Sequence, residues 1–130
     1  MAGTVLAGQQ LTAALLGVPP WSPMTLQNGW SNAGGSYVTA QYRYWPLLNE
    51  VEIIGRIGGG TISAGTIITT LPYTPASVQE LPLLIASGAT ALVNYYTPLI
   101  NVLQNGNLQI YNVPTSTTVI AFHDWISLDA

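Results

Sequence analysis

The stretch Leu99 to Asn112, "LINVLQNGNLQIYN", alternates apolar and polar residues on both sides of Asn105-Gly106. Period-two alternation marks strands with one buried face, and Asn-Gly between two such runs is a strong hairpin signal. We read a β-hairpin here, closed by a type I′ turn in which both central residues take positive φ. The letters Leu-Gln-Asn-Gly occur again at Leu26–Gly29, within "WSPMTLQNGWSNAGGSY". There the upstream side reads as a strand and the downstream side is polar and glycine-rich. That copy is read as a turn into a loop that places Trp30 near the surface. No fixed period relates the two copies, so they are separate reversals rather than a duplicated unit.

From Trp21 onward, β-branched and aromatic residues are cut at short intervals by Gly, Pro and Asn, which makes the fold all-β. In "YVTAQYRYW", Val38, Ala40, Tyr42 and Tyr44 form the expected inward face, opposite Tyr37, Thr39, Gln41, Arg43 and Trp45. In "EVEIIGRIGG", Glu50, Glu52, Ile54 and Arg56 alternate with Val51, Ile53, Gly55 and Ile57, leaving Ile54 as the one apolar residue among outward charges. Gly58-Gly59-Gly60 is read as the reversal of a second hairpin into "TISAGTIITTL". "LPYTPASVQELP" reads as a surface loop, "LPLLIA", "ALVNYY" and "LINVL" as buried strands, and "STTVIAFHDWISLD" as one or two closing strands. Residues 1–20 differ: Leu6, Leu11, Leu15 and Leu16 suit at most a short helix before Val18-Pro19-Pro20. We expect an N-terminal arm over 1–20 and one domain over 21–130.

Of the 130 residues 5% are charged, against roughly 25% in an average soluble protein, so polarity rests on Thr, Ser, Asn and Gln. A surface so poor in charge has little self-repulsion, and an obligate oligomer or a part of a larger assembly is expected. The two basic residues, Arg43 and Arg56, cannot neutralise a row of phosphates, which excludes nucleic acid as a partner and argues equally against an anionic membrane. The chain has no cysteine, hence no disulfide and no thiolate zinc site. Its start lacks the basic region of a signal peptide, and no apolar run is long enough to span a bilayer, so a soluble protein is expected.

Candidate chemistry is thin. His123 and Asp124 adjoin, but consecutive strand residues face opposite ways, so the pair is read as a strand-end contact rather than an acid–base site. Glu50 and Glu52 share a strand face at a spacing that imitates a glycosidase pair. Beside Arg56 they read as solvated positions in a surface charge cluster. Gly58-Gly59-Gly60 lacks the Lys-Ser/Thr of a phosphate loop. No catalytic, metal or cofactor residue is assigned. The chain has 4 Trp and 7 Tyr against 1 Phe. Tyr and Trp combine apolar area with a polar handle and suit interfaces and sugar-stacking surfaces. Trp30, Tyr95 and Tyr96 are the expected glycan contacts, and Tyr44, Trp45 and Ile54 the expected oligomer contacts.

Taken in order, "WSPMTLQNGWSNAGGSYVTAQYR", "VEIIGRIGGGTISAGTIITTLP", "INVLQNGNLQI" and "WISLD" resemble the β-sandwich domain at the C-terminal ends of tail-fibre and minor tail proteins of phages, especially those of actinobacterial hosts. The resemblance implies a jelly-roll-like antiparallel β-sandwich, a virion component that is commonly a homotrimer, and no cofactor. Such domains usually end a long fibre, and here no shaft precedes it. The expectation that follows is a stand-alone virion surface protein, a capsid decoration or head-fibre protein, anchored on the major capsid protein by Val5, Leu6, Leu11, Leu15 and Leu16. The alternative is a tail-tip protein that recognises a host cell-wall glycan.

Overall fold

The computed structural model describes residues 17–87 and 98–129. The strands are β1 (Ser22–Pro23), β2 (Ser31–Asn32), β3 (Gln41–Trp45), β4 (Glu50–Gly58), β5 (Ile67–Thr70), β6 (Gln79–Pro82), β7 (Leu84–Ser87), β8 (Leu99–Val102), β9 (Asn107–Asn112) and β10 (Val119–Ser127). They build two antiparallel sheets, with no helix among the described residues. The larger has the order β1-β3-β4-β10-β7, with β2 on the end of β4; the smaller runs β5-β9-β8-β6. Pairing is nested: β4 with β10, β5 with β9, β6 with β8. This is the wrapping order of a jelly-roll-like sandwich.

The core lies between the inner faces. Val51, Ile53 and Ile57 of β4 meet Ile120, Phe122 and Ile126 of β10 on one side and Ile68, Ile100, Val102, Leu108 and Ile110 on the other. Each such burial contributes about 1.5–3 kcal/mol relative to exposure. The β8–β9 hairpin forms as expected, but its turn is of another kind. Gly106 N–H donates to Leu103 at 2.9 Å and Leu103 N–H to Asn107 at 2.9 Å. Of Asn105 and Gly106 only the glycine has positive φ, +90°. This is the longer hairpin loop that closes on a left-handed glycine. The other copy has the type I′ geometry: Asn28 and Gly29 have φ of 57° and 83°, and Trp30 N–H donates to Gln27 at 3.2 Å.

Several expectations are corrected. Gly58-Gly59-Gly60 is no hairpin, because β4 and β5 lie in different sheets. The chain instead passes beneath Trp30, whose indole occupies the space that a side chain at position 60 would need. Trp30, expected near the surface, is 4% exposed for the same reason and has no face to offer a sugar. "LPYTPASVQELP" is a loop only as far as Val78; Gln79–Pro82 pairs with β8 as the edge of the smaller sheet, where a proline is tolerated. Val38 is exposed because β3 begins only at Gln41. "WSPMTLQ" contributes two strand residues, Ser22 and Pro23. The anchoring residues Val5, Leu6, Leu11, Leu15 and Leu16, the strand "ALVNYY" and the glycan candidates Tyr95 and Tyr96 lie outside the described residues.

Candidate functional site on the outer face of the larger sheet

Strand parity sends alternate residues of β3, β4 and β10 away from the core, and the register sets them side by side. Arg43 is opposite Glu52 and Glu52 opposite Trp125; Gln41 is opposite Ile54 and Ile54 opposite His123. Glu52 therefore stands at the centre of the outer face. It was expected to be solvated, yet it is 4% exposed. Its neighbours on both strands cover it. Arg43 Nε donates to Oε1 at 2.7 Å, Trp45 Nε1 donates to the same oxygen at 3.0 Å, and His123 Nε2 lies 2.7 Å from Oε2. A carboxylate only accepts, so Nε2 carries the histidine proton. Burial pushes the Glu52 carboxyl up, but the bonds from His123, Arg43 and Trp45 outweigh it and hold it below the usual carboxylate value.

Around this carboxylate the aromatics form a cover. The Arg43 guanidinium sits 4.0 Å over Trp21 and 4.8 Å from the centroid of Trp45, and Trp45 leans on Trp125 with centroids 5.9 Å apart. Trp125 remains 43% exposed. A planar, half-exposed indole held by a neighbouring ring beside fixed polar atoms is suited to stacking on a sugar. His123 was read as a strand-end residue and is mid-strand in β10, hydrogen-bonded to Glu52 rather than to Asp124. Tyr44, expected at an oligomer contact, has inward parity: it stacks on Tyr73 at 5.2 Å and donates its hydroxyl to Asn49 at 2.9 Å. Trp45 and Ile54 do lie on the outer face.

Beside this cluster a groove of about 450 Å³ runs along β10, with Tyr37, Val38, Ile54, Arg56, Leu84 and His123 among its lining residues. Leu84 is 72% exposed and forms its apolar wall. Arg56, expected in a surface cluster with Glu50 and Glu52, lies with its guanidinium 3.9 Å over Tyr37. Asp124 also borders the groove. Its Oδ2 is buried without a hydrogen-bond partner, and burial, opposed by His123, raises its pKa to about 6. Trp125, the Glu52–His123 bond and the Arg56–Tyr37 stack escaped the sequence reading, since each depends on which strands are neighbours.

Two phage proteins share this arrangement of strands. The receptor binding protein gp15 of Listeria phage PSA aligns over 83% of this chain at TM-score 0.51 and 16% identity, and the chain spans 65% of that protein's length. The head domain of lactococcal phage bIL170 aligns over 85% of this chain and 98% of its own, at TM-score 0.51 and 18% identity. The chain has the fold of phage receptor-binding heads. No protein-family model and no curated protein matches the sequence.

Proposed function

We propose that this domain is the receptor-binding head of a phage tail-fibre or minor tail protein, displayed on the virion and presenting the outer face of its larger sheet to a host cell-wall glycan. The observation that carries the reading is the likeness to two heads from receptor-binding proteins, together with an outer face on which Trp45 and Trp125 are held beside the Glu52–His123 pair. Stacking on the exposed Trp125 supplies affinity, and the fixed hydrogen-bonding groups supply orientation. The mechanism is binding, without covalent chemistry or a cofactor. Assembly as a homotrimer belongs to the proposal, and the sequence resemblance adds an actinobacterial host. The likeness favours a tail position over capsid decoration, whose anchoring residues lie outside the described part of the chain.

Labelling the protein on intact virions and measuring its binding to host cell-wall fragments test this directly. The label should sit at the tail tip, and Trp125→Ala should lower wall binding about tenfold, the loss of one stacking contact of roughly 1–1.5 kcal/mol. Label distributed over the capsid shell, or a parent protein that binds no wall fragments, overturns the proposal.

A further inference from the structure

We infer that the groove lined by Arg56 and Tyr37 binds an oxyanion carried on a sugar, a carboxylate or a phosphate, so that the ligand is an acidic rather than a neutral glycan. The inference rests on the reading of the domain as a glycan-binding head. Its warrant is how the chain spends its few charges. There are two basic side chains in 130 residues. Arg43 is neutralised by Glu52. Arg56 makes no ion pair among the described residues, and its Nε is buried without a hydrogen-bond partner.

A guanidinium keeps its proton at any ordinary pH, and its fork of donors fits carboxylate and phosphate oxygens two at a time. Stacking on Tyr37 holds the plane of that fork before a ligand arrives, which reduces the ordering cost of binding. The surroundings give the ligand a direction. On the sheet Arg56 is opposite Ala121, and His123 lies two residues further along the same face of β10, roughly 7 Å away by strand rise, with its Nε2 already bonded to Glu52. The acidic group therefore belongs at the Arg56 end. Sugar hydroxyls belong toward His123, which shares the outer face with Arg56, with Leu84 and Ile54 against the apolar face of the ring.

The test is titration of the full-length protein with methyl glucuronide, glucose 6-phosphate and methyl glucoside, following the Arg56 Nε–H and Trp125 indole signals by NMR. Either acidic sugar should bind at least tenfold more tightly than the neutral one and shift the Arg56 signal, and the pair distinguishes carboxylate from phosphate as the preferred group. Arg56→Gln should erase that preference and Arg56→Lys should retain part of it, with the thermal midpoint of each variant confirming the fold. Equal binding of acidic and neutral sugars, binding unchanged in Arg56→Gln, or no binding of any of the three overturns the inference. Binding to whole cell-wall fragments separates the two readings. If the parent binds fragments and Arg56→Gln binds them equally well, the acidic-glycan inference fails while the receptor-binding reading stands; a parent that binds no fragments removes the latter.

Discussion

The Glu52 carboxylate is almost out of water, and its charge is sustained by donors from three neighbours. Its pKa is lowered in the folded chain, so the stability it contributes is present above the ordinary carboxylate value and lost as pH falls through the folded one. Glu52→Gln leaves Arg43 without a counter-charge. A loss of about 2 kcal/mol at neutral pH is expected, discounted from the larger cost of a fully buried pair because Arg43 is 18% exposed. Urea unfolding at neutral and at strongly acid pH should show the variant's deficit shrinking at the lower value. Asp124 has the opposite sign. Its pKa is raised from 3.8 to about 6, so stability is full below the ordinary value and lost as pH rises through the folded one. Asp124→Asn should therefore be more stable than the parent above that pH, by about 1 kcal/mol after allowing for solvent screening, and indistinguishable from it near pH 4. A variant less stable at neutral pH would show that Asp124 has a partner in solution.

The β8–β9 hairpin and the β4 strand show what the sequence makes legible. Alternation around Asn105-Gly106 locates the hairpin because both strands keep one face in the core, and a one-residue slip would expose Ile100, Val102, Leu108 and Ile110 together. The turn type is not legible, since Asn-Gly serves either geometry and the choice rests on which of the two residues goes left-handed. Gly106 does so here, and a Cβ on it would meet the carbonyl oxygens of Leu71 and Tyr73, the latter at 2.8 Å. Gly106→Ala is expected to cost more than about 1 kcal/mol, the size of a compatible glycine effect with its sign reversed, read as a lowered thermal midpoint. Along β4, parity separates Val51, Ile53 and Ile57 from Glu52, Ile54 and Arg56, but parity cannot tell solvent from a covering layer. Glu52 is buried on the outward side by Arg43, Trp45 and His123, which lie 9, 7 and 71 residues away in sequence. The same distance problem hid the passage of Gly60 under Trp30, which turns an apparent hairpin into a crossing between sheets.

For the molecule as a whole, two proposed roles compete for the same surface. Trp45 and Ile54 are sequence-based candidates for subunit contact, and both lie on the face that carries the Trp125 stack and the groove. A subunit closing over Ile54 would also cover Arg56, which lies on the same face of β4 and has no ion-pair partner among the described residues. Burying an uncompensated charge costs several kcal/mol, whereas an open groove leaves the outer part of the guanidinium in water until a ligand of matching chemistry arrives. Association driven by neutral apolar surface elsewhere on so weakly charged a protein avoids that cost and is little screened by salt. Ile54→Glu should thus leave the sedimenting mass of the proposed trimer unchanged from low to high salt while lowering the proposed glycan binding at least tenfold. An assembly that falls apart in this variant with the monomer still folded would assign the face to subunit contact and move the ligand site elsewhere.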